Sequence, residues 1–186
     1  MDLARKQSPE NLTMYLLDFG TNGLAPLSQL PHVADSLLLD QTEKIQKFIR
    51  IINRELDRRK KLLSEHGVGT IALYREVTGK QEPTMVILMD SYESMKDEPY
   101  ETDLFKLFMR ISREGLSIGV HLIITASRQN NLRAQLYSNF KHQLTLPQND
   151  ISEVRGIVGA TPLAATMEDI KGRALMKRDE VDVVQF

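Results

Sequence analysis

Pro83-Thr84-Met85-Val86-Ile87-Leu88-Met89-Asp90 is the stretch on which the reading of the fold turns. It is an apolar run opened by a proline and closed by a carboxylate. A run of this kind, rich in β-branched residues, reads as a strand covered on both faces, the kind found in the middle of a parallel sheet. An acid at its carboxyl end stands where open α/β sheets bind their ligands. The same pattern also describes a core strand followed by a solvated loop aspartate, so the neighbouring segments have to decide.

Upstream, Thr13-Met14-Tyr15-Leu16-Leu17-Asp18-Phe19 is a second buried strand with an acid near its end, followed by the turn Gly20-Thr21-Asn22-Gly23. Met1 to Glu10 reads as the last turns of a helix broken at Ser8-Pro9. Pro31 to Asp40 supplies a third strand, and Asp40 with Glu43 forms a D-x-x-E capping pair for a long helix closed by Gly67. On that helix Ile45, Phe48, Ile49, Ile52, Leu56 and Leu63 form an apolar stripe. Arg50, Arg54, Arg58, Arg59, Lys60 and Lys61 are read as its solvated face.

Downstream, Thr70 to Val77 is a short helix, and Leu104, Phe105, Leu107, Phe108 and Ile111 mark another that ends near Gly115. Gly119 to Ala126 is a further strand, with Ser127-Arg128 at its end. Asn131 to Phe140 is expected to be helical and His142 to Leu146 extended. Asp150 and Glu153 cap one more helix, before closing strands at Gly172–Lys177 and Val181–Phe186. Alternating strands and helices predict an α/β fold with a mainly parallel sheet flanked by helices. Asp18, Asp90 and Ser127 then share one edge of that sheet.

Composition narrows the chemistry. The 186 residues are 41% hydrophobic and 26% charged, enough apolar material for one sizeable core. A net charge of -1 and a pI near 6.4 give no global basic field that would favour nucleic acid. Cysteine is absent, which removes disulfides, thiolate metal sites and cysteine nucleophiles together. No apolar stretch approaches the length of a membrane span, and the N-terminus lacks the apolar core of a signal peptide. His32, His66, His121 and His142 stand too far apart for metal-ligand spacing, and His121 reads as a satisfied core residue. Neither a G-x-S-x-G elbow nor a G-x-x-x-x-G-K-[ST] phosphate loop is present.

Five stretches, in order, carry a resemblance. They are Tyr15-Leu16-Leu17-Asp18-Phe19-Gly20, Leu30-Pro31-His32-Val33, the Glu55–Gly67 segment, Val86 to Asp90, and Gly119 to Arg128, which is similar to a G-[IV]-H-L…T-x-R strand. In these the chain resembles the FtsK/SpoIIIE group of RecA-like P-loop ATPases, and within it the tandem modules of EssC-type motors of type VII secretion. The resemblance implies a single, N-terminally truncated RecA-like domain over residues 1–186, beginning just after the Walker A loop. Asp90 takes the place of the Walker B aspartate, which holds the Mg²⁺ water shell, with Asp18 and Ser127 beside the nucleotide. Ser91 replaces the glutamate that usually follows it, and Ser127 the glutamine of the T-Q-R sensor, while Arg128 is retained.

These departures imply a degenerate module of a membrane-anchored secretion motor, acting in nucleotide-dependent regulation or substrate recognition. Mg-ATP is the expected cofactor of the intact protein, with none expected for these residues alone. The implied partners are neighbouring ATPase modules, further copies in a homo-oligomer and WXG100-type secreted proteins, with membrane contact only through other segments and the domain itself in the cytoplasm. A DNA-translocating FtsK/SpoIIIE motor is the alternative, and an unrelated α/β interaction domain a third. The mild acidity and the missing glutamate weigh against the translocase.

Overall fold

The computed structural model describes residues 2–186. They form two compact units, one running to Ala126 and the other spanning Ser127–Phe186.

The first unit is built on a parallel sheet. Its strands are β1 (Leu12–Asp18), β2 (Val33–Leu38), β3 (Thr84–Asp90) and β4 (Val120–Ile124), in the spatial order β2-β1-β3-β4. All three ladders are parallel. The β1–β3 register is unbroken from Leu12↔Thr84 to Asp18↔Asp90, while β1–β2 slips between Met14 and Tyr15. The two central strands are the most apolar, and Leu16, Leu17 and Ile87 have no exposed surface. The outer strands differ. β2 carries Asp35 and Ser36, whereas β4 is Val-His-Leu-Ile-Ile, with Ile123 about half exposed.

Helices cover both faces. On one, Ala4 of α1 (Asp2–Lys6) packs on Leu12, Met14 and Val86. On the other, Phe48 of α2 (Thr42–Glu65) meets Tyr15 with ring centroids 5.3 Å apart. The predicted stripe on α2 is buried as expected, and full burial of each such side chain is worth about 1.5–3 kcal/mol. The cap is not as expected. Helix α2 starts at Thr42 behind Gln41, which makes no side-chain cap, so Asp40 lies one residue too early to serve. Helix α3 (Ile71–Thr78) is capped by Thr70, whose hydroxyl accepts from Leu73 N. Helix α4 (Glu101–Glu114) ends at Gly115. His121 is half-buried rather than a satisfied core residue, and burial pulls its imidazole pKa downward.

The second unit departs from the expectation of one sheet. β5 (Gln143–Thr145), β6 (Arg173–Lys177) and β7 (Val181–Gln185) form a separate antiparallel sheet in that order. α6 (Ile151–Val158) and α7 (Pro162–Ala165) supply Val154, Val158 and Ala164, which pack with Leu175 of β6. Asp150 caps α6 by accepting from Ser152 N at 2.8 Å. The helix expected over 131–140 shrinks to a 3-10 turn, Gln129–Asn131, and the short α5 (Ala134–Tyr137).

Candidate functional site

β1 and β3 finish level, so Asp18 and Asp90 are register partners at the carboxyl end of the sheet. Asp18 is 3% exposed, and its Oδ2 accepts from Leu24 N at 2.9 Å. That bond staples the loop after β1, where Asn22 takes a left-handed φ of 61° before a 3-10 turn at Ala25–Leu27. The other oxygen, Oδ1, is buried and has no hydrogen-bond partner among the described residues. Leaving such an acceptor unsatisfied costs about 1–3 kcal/mol.

Gly20 has to be glycine for lack of space. A Cβ there would lie 2.4 Å from Asp90 Oδ2 and 2.7 Å from Ser91 Oγ. The backbone of this loop therefore runs directly against the Asp90 carboxylate.

Asp90 itself is held from β4. Thr125, one residue past that strand, donates from its hydroxyl to Asp90 Oδ1 at 2.6 Å and accepts from Ser91 N at 3.0 Å. Its backbone N–H donates to Met89 O at 2.9 Å, and its carbonyl accepts from Tyr92 N at 3.0 Å. Four bonds at one residue fix both the carboxylate and the chain that follows it. Ser91 pays for that turn with a left-handed backbone, φ 59° and ψ 63°, at a cost of roughly 1–2 kcal/mol for a side-chain-bearing residue. Its Oγ lies 3.5 Å from Asp90 Oδ2, a long contact. Glu93 sits in the 3-10 turn Tyr92–Met95.

Two of the expected site residues, Ser127 and Arg128, open the second unit. There Ser127 Oγ accepts from Asn131 Nδ2 at 2.9 Å, and Arg128 pairs with Glu153 at 3.5 Å. Arg128, Gln129, Asn130, Ser152 and Glu153 line a shallow depression of about 190 Å³.

The first unit thus brings together Asp18, Asp90 and Ser91, and adds two residues that the sequence reading left out of the site: Thr125 and Gly20. Both lie inside stretches that the reading singled out. A hydroxyl at a strand end and a glycine directly after a strand were the signals available.

The donors at this sheet end fit a hard cation reached through water: two carboxylates, Asp18 and Asp90, and two hydroxyls, Ser91 and Thr125. With Oδ1 engaged by Thr125, Oδ2 of Asp90 is the oxygen left for a metal-bound water. Direct coordination is not supported, since among the described residues no group of three or more His, Asp or Glu could hold a metal ion. A divalent cation held there through water by Asp90 would supply charge neutralisation to an anionic ligand. The chain's own part is to orient one carboxylate and to keep the loop backbone against it.

An opposite arrangement occupies the amino end of the sheet. Arg59, expected on the solvated face of α2, is 2% exposed. Its Nε donates to Glu55 Oε1 at 2.7 Å, Nη1 to the carbonyls of Ile118 and Gly119 at 2.9 and 3.3 Å, and Nη2 to Pro83 O at 2.8 Å. These carbonyls lie just before β3 and β4. The guanidinium fork is satisfied by acceptors from three segments.

A four-stranded parallel sheet with acids and a threonine hydroxyl at its strand ends defines a RecA-like α/β domain of the ATPase type. The model of the FtsK/SpoIIIE family matches residues 1–173, and the chain belongs to that family. It is 42% identical over 179 residues to the type VII secretion system protein EssC of Staphylococcus aureus strain NCTC 8325, covering 96% of this chain and 12% of that protein. The ESX secretion system protein YukB of Bacillus subtilis strain 168 is 36% identical over 186 residues, the whole of this chain and again 12% of the relative. The chain thus spans about an eighth of the length of these curated relatives. Among solved structures, EssC (ATPases 2 and 3) from Geobacillus thermodenitrificans superposes with a TM-score of 0.91 at 34% identity, over 98% of this chain and 34% of that one.

Proposed function

We propose that the chain works as a degenerate ATPase module of a membrane-anchored type VII protein-secretion motor, taking Mg-ATP as a regulatory or structural ligand rather than as fuel. The observation that carries this reading is Ser91. The position directly after Asp90 holds a hydroxyl, in a left-handed backbone pinned by Thr125, where an active ATPase needs a carboxylate to orient the attacking water. Asp90 holds the water shell of the magnesium, and Asp18 fixes the loop beside it. Ser127 and Arg128 take the sensor role in the sequence pattern. No phosphate-loop motif occurs in the sequence, so a cradle for the β- and γ-phosphates has to come from other residues.

The partners follow from the same reading. Neighbouring ATPase modules are one class, supported by the solved EssC chain, whose name counts ATPases 2 and 3. WXG100-type secreted proteins are the second, and a net charge of -1 supports protein over nucleic acid. Among the described residues no helix is long and apolar enough to cross a membrane, which suits a cytoplasmic domain anchored through other segments.

Calorimetry with Mg-ATP, paired with phosphate release, tests the proposal. The chain alone is expected to bind nucleotide poorly and to release no phosphate. Carried on a polypeptide with a phosphate-binding loop ahead of it, it is expected to bind, with Asp90→Ala weakening the affinity and turnover staying low. Ser91→Glu then raises turnover, by up to the order of 10²–10⁴ that a positioned base contributes. Brisk hydrolysis by the unsubstituted sequence, or tight binding by the chain alone, refutes the reading.

A further inference from the structure

The loop that lies against Asp90 contains Asn22-Gly23, and among the asparagines of the sequence Asn22 is the only one followed by glycine. From its place in the fold we infer that Asn22 is a site of spontaneous deamidation and isoaspartate formation, and that the change acts on the loop covering Asp90.

In the reaction the backbone nitrogen of Gly23 loses its proton and attacks Cγ of Asn22. The new N–Cγ bond closes a five-membered succinimide, the Cγ–Nδ2 bond breaks, and ammonia leaves. Water then opens the ring at one of its two carbonyls, leaving either an ordinary aspartyl residue or a β-linked isoaspartate in place of the asparagine. Solvent water is the only co-reactant, and no oxidant or reductant is involved.

Three features of the chain favour it. Thr21, Asn22 and Gly23 are all exposed, so hydroxide and water reach the amide. Gly23 has no side chain to shield its nitrogen, and among the described residues its N–H makes no hydrogen bond that would have to break. A single 3.2 Å bond, donated by Ala25 N to Asn22 O, holds the Asn22 carbonyl in the turn.

The consequence follows from what surrounds the loop. Leu24 N is clamped by the buried Asp18, and Gly20 is wedged against Asp90, so both ends of the segment are fixed. An isoaspartyl linkage inserts one extra backbone carbon between those anchors. It also adds a negative charge to a loop whose Gly23 would place a Cβ 3.8 Å from Asp90 Oδ2. Either change strains the Asp18–Leu24 staple. The inference that this alters a nucleotide site rests on the function proposed above, whereas the chemistry and the loosened staple do not.

The test needs no nucleotide. The chain is aged at mildly alkaline pH, and residue 22 is followed by peptide mass mapping and isoaspartyl-methyltransferase labelling. Conversion is expected at Asn22 ahead of every other asparagine. Gly23→Ala is expected to slow it severalfold with the fold intact, because the added Cβ meets Asp90 Oδ2 at an ordinary contact distance. Asn22→Gly, which suits the left-handed φ, removes it. Amide exchange at Leu24 is expected to be severalfold faster in the aged chain than in aged Gly23→Ala. Conversion at Asn22 no faster than at the other asparagines, or an equal rate in Gly23→Ala, overturns the site. Equal exchange at Leu24 overturns the effect on the staple. A failure of Mg-ATP binding in the calorimetry above leaves all of these readouts standing.

Discussion

The two ends of the parallel sheet solve opposite problems. At the amino end, a buried guanidinium collects carbonyls from the segments before β3 and β4, together with the Glu55 carboxylate. At the carboxyl end, a buried acid keeps one oxygen without a donor, and a serine is held in a left-handed backbone. At the amino end the guanidinium is satisfied, although His32 Nδ1 just before β2 is buried with no hydrogen-bond partner among the described residues, while the carboxyl end combines an unsatisfied acid oxygen with a strained backbone. Structural parts of a fold satisfy their polar groups, and strain persists where a ligand or a movement gives it a use. What sets the Asp18–Asp90–Thr125 end apart is the left-handed Ser91 held beside the Asp90 carboxylate.

The largest effect that would sharpen this contrast is expected at Arg59. Arg59→Ala strands the carbonyls of Pro83, Ile118 and Gly119 and leaves Glu55 with Arg58 as its remaining arginine partner, and is expected to cost about 3–5 kcal/mol in urea unfolding. Arg59→Lys recovers little of this, because one ammonium cannot reproduce the fork. A loss below about 1 kcal/mol, the worth of an exposed pair, would break the picture of a braced amino end.

Next comes Thr125. Thr125→Val keeps the shape but removes the donor to Asp90 Oδ1 and the acceptor for Ser91 N, and the expected loss is about 1–3 kcal/mol. Thr125→Ser restores most of it, and faster amide exchange at Ser91 in the valine variant reports that the left-handed turn has loosened. Unchanged exchange there would mean that the turn is held without the hydroxyl.

Gly20→Ala is expected to cost about 1–2 kcal/mol by crowding Asp90 Oδ2. Combining it with Asp90→Ala should cost less than the two separate losses added together, since the nearer of the two crowded atoms is gone and Ser91 Oγ remains. Strict additivity would place the strain elsewhere.

The smallest effect is a pH dependence at the amino end. Burial pulls the Glu55 carboxyl upward, but hydrogen bonds from Arg58 and Arg59 outweigh it and hold the group below the usual carboxylate range. Its contribution is therefore complete above the unfolded-state value and is lost as pH falls through the lower folded-state value. Glu55→Gln is expected to flatten the acid limb of a stability–pH profile and leave its neutral and alkaline limbs parallel to those of the parent. An acid limb of unchanged slope would count against the coupling.

Much of the carboxyl end was legible in the sequence. An apolar run that stops at an acid is a strong pattern, and Asp18 and Asp90 both follow it. Arg59 was misread because residue type outweighed position. It falls three residues after Leu56 and four before Leu63, on the buried stripe itself, and a helical wheel taken literally would have placed it in the core. Asp40 failed as a cap because helix boundaries are uncertain by a residue or two, and capping depends on a single one. The separate antiparallel sheet was also within reach. Only Arg178, Asp179 and Glu180 lie between β6 and β7, whereas a parallel pair needs a crossover of roughly a dozen residues. For Thr125 the hydroxyl at a strand end was visible but its partner was not, because its hold on Asp90 depends on β4 lying beside β3, and strand order is not written in local periodicity.

The parallel ladder between β1 and β3 also sets a timetable for synthesis. The two strands pair from Leu12↔Thr84 to Asp18↔Asp90, so β1 cannot find its inner neighbour until most of the first unit has left the ribosome. At a translation rate of about 5–20 residues per second, that interval is on the order of ten seconds. In an interval of that length a hairpin such as β6–β7, with its three-residue turn, could form and reopen many times once made, since hairpins close in roughly 1–10 μs. The edge of nascent β1 that faces β3 is therefore left without its partner for seconds on every round of translation, while β2 on its other edge emerges sooner. A hairpin-built sheet of the same size leaves no comparable window.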